Sequence, residues 1–316
     1  MPEKKIIAVV GATGAQGGGL ARAILNDPNS EFSVRALTRN PDSDKAKALA
    51  DMGAEVVKAD VDDVESLKKA FDGAYGAFCV TFFWDHLSAE KEKEEAKNMA
   101  EAAKAAGVKH AIWSTFEDVR DYVPLDSDQM PTLMEKYKVP HFDGKAEADH
   151  YFTDLGVPTT FLLTSFYWDN YIYFGLGPQK GPDGTLGITF PLGDKKMPGI
   201  WAEDIGKAAY GIFKDPSYIG KTVGVAGEHL SGQDMADTFG KVMGVEVKYN
   251  EVPADVYRSF DFPGADEMGN MFQFKRDFDE EYKAHRDLDE TRKLNPELKT
   301  FEQWLTEHKD GIPMPE

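Results

Sequence analysis

Ile6-Ile7-Ala8-Val9-Val10 runs straight into Gly11-Ala12-Thr13-Gly14-Ala15-Gln16-Gly17, and from there into Gly18-Gly19-Leu20-Ala21. A short apolar run, a glycine-rich turn and a stretch ending at Leu25 read as strand, tight turn and helix. The spacing is G-x-x-G-x-x-G, not the commoner G-x-G-x-x-G, but the physics is shared. Glycines let the backbone approach a pyrophosphate, and a helix N-terminus offers unpaired N–H groups and partial positive charge. A tight turn without a ligand is the bland alternative, so the context has to decide.

Working outward, the first half repeats the alternation. Phe32 to Leu37 reads as a strand, Asp44 to Met52 as a helix ended by Gly53, and Glu55 to Lys58 as a third strand. Val64 to Phe71 is a helix and Ala74 to Val80 a fourth strand. An Ala/Glu/Lys helix from Ala89 to Ala106 stops at Gly107, before a fifth strand from Val108 to Ser114. Short buried strands separated by helices imply a parallel sheet covered on both faces, the α/β Rossmann-type doubly wound architecture. Phe116 to Pro140 breaks the rhythm, and a long loop after a strand's carboxyl end is where such sheets place ligands. Phe142 to Leu155 then reads as a helix and Pro158 to Leu163 as a sixth strand.

Beyond that point Gly181-Pro182-Asp183-Gly184 and Pro191-Leu192-Gly193-Asp194 suggest hairpin-like pieces between shorter helices. The expected division is a nucleotide-binding Rossmann domain over residues 1–165 and a smaller mixed α/β C-terminal lobe over 166–316. That lobe forms one wall of the cleft, and some of its segments are expected to return to the Rossmann sheet. The charged run from Arg276 to Lys293 mixes signs and aromatics, so it reads as a solvated amphipathic helix rather than an interaction tail.

Six strands in this order favour nucleotide binding over a bare turn, with Gly11, Thr13, Gly14, Ala15, Gln16 and Gly17 as the phosphate loop. The end of the second strand selects the nucleotide. An acidic residue there would bind the ribose hydroxyls of NAD, whereas Thr38-Arg39-Asn40 offers a guanidinium suited to a 2′-phosphate. NADP(H) is therefore the expected cofactor, against the alternative that Arg39 is a plain surface arginine. Asp60 and Val61, after the third strand, would lie beside the adenine, and a helix-capping role for Asp60 is nearly as good a reading.

Hydrophobic residues make up 41% of the chain and charged residues 29%, an ordinary balance for a globular protein. The formal charge of −19 argues against a surface that tracks phosphates, so no direct nucleic-acid partner is expected. Cys79 is the single cysteine, which excludes a disulfide framework and a thiolate metal site. The histidines have no metal-ligand spacing, and His141 and His150 are too far apart on a helix to share an ion. With no signal-like leader and no long apolar run, no membrane association and a cytoplasmic location are expected, with nuclear entry left open for a eukaryotic source.

The run Val-Val-Gly-Ala-Thr-Gly-Ala-Gln-Gly-Gly from Val9, with Thr38-Arg39-Asn40-Pro41, resembles the NmrA-like branch of the atypical short-chain dehydrogenase/reductases. Gly53-Ala54-Glu55-Val56-Val57, Val80-Thr81 with Trp84, and His141-Phe142-Asp143-Gly144-Lys145 extend the match, as do Gly156-Val157-Pro158 and Asp169-Asn170. Phe262-Pro263-Gly264-Ala265 and Gln303-Trp304-Leu305 carry it to the C-terminus, and the nearest likeness is to a human NADP(H)-sensing member. The resemblance implies an NADP(H)-binding redox sensor that regulates partners without established turnover. It implies that Thr81, Phe82 and Phe83 line the ribose and nicotinamide side. Lys145 would reach the nicotinamide ribose, and Tyr167, Trp168 and Asn170 would close over the ring. Phe82 departs from the polar residue of that human protein, and the Phe116–Pro140 loop is longer than its counterpart.

Ordinary members of the wider superfamily use a tyrosine and a lysine four residues later, with a serine on the substrate oxygen. Here Ser114 and Lys145 are present, but His141 stands in the tyrosine's place. Tyr210 and Lys214 have the right spacing at the wrong place among the strands. His141 could donate a proton, since imidazole titrates near neutrality, although capping or packing at the helix start is the favoured reading. No catalytic residue is thus assured, with Lys145, His141 and Ser114 as candidates. The favoured function is an NADP(H)-responsive regulator that lacks the usual catalytic pair, whose loops around Phe116–Pro140 and Tyr167–Tyr173 order on cofactor binding for a regulatory protein partner. The alternative is an NADPH-dependent reductase of quinones, aldehydes or similar small carbonyl compounds. There Phe82, Phe83, Trp84, Phe166, Tyr167 and Trp168 would sandwich a flat ligand, though core packing explains any one of them as well. A homodimer is left open.

Overall fold

The computed structural model describes residues 3–181 and 183–315, so Met1, Glu316 and Pro182 of the expected first hairpin turn lie outside them, as does Pro2. From the N-terminus, β1 (Lys5–Val9), α1 (Ala15–Asn26), β2 (Phe32–Thr38), α2 (Asp44–Asp51), β3 (Glu55–Lys58), α3 (Val64–Phe71) and β4 (Gly76–Cys79) alternate as read. They are followed by α4 (Ala89–Ala105), β5 (His110–Thr115), α5 (Pro140–Asp154) and β6 (Thr159–Leu163). Local chemistry sets the boundaries. Ser43, Asp63 and Ser88 each cap a helix by accepting backbone N–H bonds, worth about 1 kcal/mol apiece. Helix α5 starts earlier than the apolar pattern indicates because Pro140 occupies its first turn, where a missing N–H costs nothing.

The chain continues through β7 (Phe166–Tyr167), α6 (Asn170–Tyr173), β8 (Gln179–Lys180), β9 (Leu186–Phe190), β10 (Met197–Ile200) and α7 (Ala202–Lys214). It ends with β11 (Thr222–Gly224), β12 (Glu228–Leu230), α8 (Gly232–Met243), β13 (Val247–Glu251), α9 (Ala254–Arg258) and α10 (Ala265–Asp277), then α11 (Asp279–Ala284), α12 (Leu288–Leu294) and α13 (Phe301–His308). The main sheet has seven parallel strands in the order β11-β6-β5-β4-β1-β2-β3. Its outermost strand comes from residues 222–224, well into the second half of the chain. Two three-stranded sheets, β12-β10-β7 and β13-β9-β8, build the smaller lobe.

Alternation along β1 shows why both faces are covered. Ile7 and Val9 pack with Leu20 and Ile24 of α1 and Ile205 and Phe213 of α7, while Ala8 and Val10 face Phe71, Met99 and Phe152. A third core fills the smaller lobe and takes in Phe142 from α5. No helix among the described residues is long and apolar enough to cross a membrane.

Two readings are corrected. Arg276 to Lys293 is not one solvated helix: it spans the end of α10, all of α11 and most of α12, and carries Arg286 with no solvent exposure. Its mixed signs hid a buried cation, because alternation of charge says nothing about which charge has a partner inside. The turn at Pro191–Asp194 does not close a hairpin, since β9 and β10 belong to different sheets. Strands β8 and β9, by contrast, pair antiparallel.

Candidate functional site

The carboxyl end of the main sheet gathers the predicted residues unevenly. At β1, Gly11 turns with φ +64° and accepts the Gly14 N–H at 2.8 Å. A side chain at Gly17 would place its Cβ 2.5 Å from the Gly11 carbonyl oxygen, so only glycine lets α1 leave the turn this tightly. Gly14 precedes α1 without any side-chain cap, which leaves first-turn N–H groups of Ala15 and Gln16 facing the cleft end. Gln16 Nε2 donates to the Tyr167 hydroxyl, and Gln16 Oε1 is buried with no partner. A close-approach turn and an uncapped helix start could hold a dinucleotide phosphate, while the orphaned amide oxygen is free to accept a donor such as a ribose hydroxyl. Burial pushes the Tyr167 hydroxyl up to about 12, so it stays a neutral donor.

Arg39, just past β2, reaches Asp85 beyond β4 at 3.4 Å. Because β1 lies between β4 and β2, this pair spans the mouth of the glycine turn. Both side chains are more than half exposed, so the pair is worth at most about 1 kcal/mol. Asp60 accepts the Asp62 N–H in a local turn, whereas the cap of α3 is Asp63. Val61 packs half-buried on the core beneath.

His141 to Lys145 is the densest part of the site. Lys145 Nζ donates to Thr81 Oγ1 at 2.5 Å and lies 3.0 Å from Glu92 Oε1, which also accepts the Thr81 hydroxyl at 2.7 Å. Gly144 packs where a Cβ would sit 3.0 Å from the Ala89 methyl. Asp143 is buried and accepts the N–H groups of Val119, Lys138 and Val139 at 2.8, 2.7 and 3.0 Å, while burial pushes its carboxyl up to about 6. Phe142 stacks on Phe116 with centroids 3.9 Å apart. His141 Nδ1 lies 2.6 Å from Glu267 Oε1, which also accepts the His141 backbone N–H. His141 Nε2 has no hydrogen-bond partner among the described residues, and the ring stands 5.8 Å from Phe83 and 5.3 Å from Trp84. His141 and Lys145 sit one turn apart on the same face of α5, both against the segment that follows β4.

The Phe116–Pro140 segment is a long connection, but it is anchored. Lys138 Nζ, fully buried, donates to the carbonyls of Leu125, Ser127 and Met130, and Asp143 ties its end to α5. Other predicted residues are not brought to the cleft. Trp168 is buried in the small-lobe core against Phe301 and Trp304, and Phe166 and Phe83 are equally buried, so these three supply core and not a ligand-facing wall. Phe82 is 56% exposed beside the turn. Asn170 opens α6 half-buried, and Ser114 is buried at the end of β5. Tyr210 bonds Asp27 and packs on Phe32, at the opposite end of the sheet from the glycine turn.

Two residues escaped the sequence reading. Glu92 sits on a helix rich in charge, yet it shares the face of Ala89, Ala96 and Met99, and that position within an apolar stripe is the signal. Glu267 lies 126 residues from His141, and nothing local pairs them. Among the described residues no cluster of His, Cys, Asp or Glu could hold a metal.

The model of the NmrA-like family matches residues 3–305. The NmrA-like family domain-containing oxidoreductase FrzB of Cladobotryum sp. is 31% identical over 85% of this chain and 83% of its own. The NmrA-like family domain-containing oxidoreductase malD of Malbranchea aurantiaca is 31% identical over 78% and 75%. Among solved structures, NmrA, described as a negative transcriptional regulator, superposes with a TM-score of 0.78 at 26% identity, covering 96% of this chain and 95% of that one. NmrA has been solved in complex with NAD and with NADP.

Proposed function

The chain belongs to the NmrA-like family, and from that premise we propose that it binds NADP(H) along the glycine turn and reduces a small carbonyl compound such as a quinone or aldehyde. The observation that carries the reading is the His141–Glu267 pair one helical turn before Lys145. Gly11 to Gly17 would hold the pyrophosphate, Arg39 the 2′-phosphate, and Lys145 the ribose. A charge-assisted bond to phosphate is worth about 1.5–3 kcal/mol, enough to displace the exposed Arg39–Asp85 pair. When bound, NADPH supplies a hydride.

The chain's own contribution is a proton and a fixed orientation. Glu267 receives Nδ1–H, which leaves Nε2 as the atom that carries the transferable proton, and the carboxylate steadies the charge of the imidazolium. Lys145 is held rigid by Thr81 and Glu92. This puts an imidazole in the place of the usual tyrosine.

The test is NADPH oxidation over a panel of quinones and aldehydes, with cofactor affinity measured in parallel. His141→Phe is expected to lower kcat by about 10²–10⁴, and Glu267→Gln by less, with NADPH affinity within about threefold of the native protein. No turnover by the native protein while it binds NADPH would defeat the reductase reading.

A regulatory reading draws support from a different contact. Gln16 touches Tyr167, the first step from the glycine turn into the smaller lobe, so cofactor occupancy has a direct route to that surface. Cofactor-independent association with every protein partner would remove it.

A further inference from the structure

Lys275 on α10 is 3% exposed, yet its Nζ has no hydrogen-bond or ion-pair partner among the described residues. It lies 5.6 Å from the ring centres of Phe142 and Tyr282, 5.8 Å from that of Phe272 and 5.9 Å from that of Phe166. The Tyr282 hydroxyl is likewise buried and without a partner. The charges nearby do not serve the lysine. Arg286 Nη1 and Nη2 bind Glu117 at 2.5 and 2.9 Å, and the guanidinium caps the Tyr282 ring at 3.6 Å. Arg286 and Glu117 cancel, which leaves Lys275 as one positive charge with nothing opposite it. A buried ammonium without a counter-charge is unfavourable by several kcal/mol, and methionine would fill the same space without that penalty.

Its position in the fold explains why such a group sits there. Glu117 follows β5, and Arg286 Nε donates to the carbonyl of Thr164, the residue after β6, so the cluster lies at the carboxyl ends of the strands. Open α/β sheets take their ligands at that end. On one side Phe142 separates Lys275 from His141, whose ring centre is 4.6 Å away. On the other, Arg286, which caps the Tyr282 ring, donates to Thr164, whose hydroxyl lies 3.4 Å from that of Tyr167, and Tyr167 touches Gln16 of the glycine turn. The two unpaired donors are bracketed by the proposed proton donor and the proposed cofactor loop.

We propose that Lys275 and the Tyr282 hydroxyl form the anion-receiving end of a substrate site, which takes a planar aromatic compound bearing an ionised carboxylate. Each donor can serve an oxygen of the carboxylate, and the rings of Phe142 and Phe272 beside Lys275 offer an apolar face to the aromatic body. Burial also pulls the lysine down to about 7, so an arriving anion secures the proton it needs. What the site is for rests on the reductase reading, but anion binding is measurable without turnover.

Calorimetric titration of the full chain with benzoate and with benzamide, with and without saturating NADP+, tests this. The native protein is expected to bind benzoate at least about tenfold more tightly than benzamide. Lys275→Met should erase that difference while leaving benzamide and NADP(H) affinities in place, and Tyr282→Phe should weaken benzoate binding by about threefold to tenfold. Equal binding of the two probes by the native protein, absence of binding by either, or an undiminished preference in a folded Lys275→Met variant would overturn the proposal. Benzoate binding without turnover of any carbonyl compound would sink the reductase reading and leave this site standing.

Discussion

Replacing Glu117 by glutamine keeps the shape of the side chain and removes its charge, leaving the fully buried Arg286 without a counter-ion. The cost can be worked from the geometry. Burial opposes ionisation of Glu117, but the charge and hydrogen bonds of Arg286, with a further bond from His285, hold the carboxyl down at about 2 against an ordinary 4.5. Each tenfold change in acidity is worth about 1.4 kcal/mol, so the charge contributes about 3 kcal/mol to the folded state at neutral pH. That agrees with the roughly 3–5 kcal/mol lost when one partner of a buried pair is removed. A carboxyl depressed on folding gives stability that is present above its unfolded value and lost as pH falls from about 4.5 towards about 2. Urea unfolding should therefore show Glu117→Gln less stable by about 3 kcal/mol at pH 7, with the gap closing below pH 4.5. Arg286→Met should lose a similar amount, and the double variant Glu117→Leu/Arg286→Met should recover most of it. A loss under 1 kcal/mol at pH 7, or a double variant that sums the two single losses, would refute this account of the pair.

Three further outcomes are expected. Arg39→Ala should weaken NADP(H) binding by about 10- to 100-fold while changing NAD(H) affinity little, and an unchanged preference in a fluorescence titration would remove Arg39 from the site. Gly17→Ala should cost about 1–3 kcal/mol in thermal unfolding and abolish cofactor binding, because its Cβ would meet the Gly11 carbonyl at 2.5 Å; normal binding would show that the turn relaxes. Glu95 is pushed up to about 7 by burial and then by Asp62 and Glu92, so its contribution is full below about 4.5 and lost as pH rises through 7. Glu95→Gln should flatten the fall in stability between pH 5 and 8 and raise stability at pH 8, and an unchanged pH profile would exclude Glu95 as the cause.

The sheet was legible because its signal is local. Ile7 and Val9 alternate with Ala8 and Val10, and Gly11 to Gly17 punctuate the turn within one window of sequence. The place of Arg39 just past β2 could be picked out because a strand end fixes where it must sit. The site's support could not be read the same way, since it depends on distant pairs. His141 meets Glu267 across 126 residues, and Arg286 meets Glu117 across 169. Glu267 and Arg286 look solvated along the sequence, where Asp266 and Asp287 stand beside them. Lys275 is the extreme case, for its meaning lies in the partner it lacks. Trp168 shows the converse failure, because the family resemblance implied a ligand contact while its side chain turns into the smaller lobe's core.

The outermost strand of the parallel sheet, Thr222–Gly224, has a consequence for how the chain is made. Synthesis delivers β6 long before β11, so an edge of unpaired amides and carbonyls waits on the ribosome while some sixty further residues are added. An open edge of that kind is a template for pairing with another nascent chain. The vulnerable interval in the life of this protein therefore falls during translation of the smaller lobe, and a stop codon placed between Leu163 and Thr222 should yield aggregate in place of a free-standing nucleotide-binding domain.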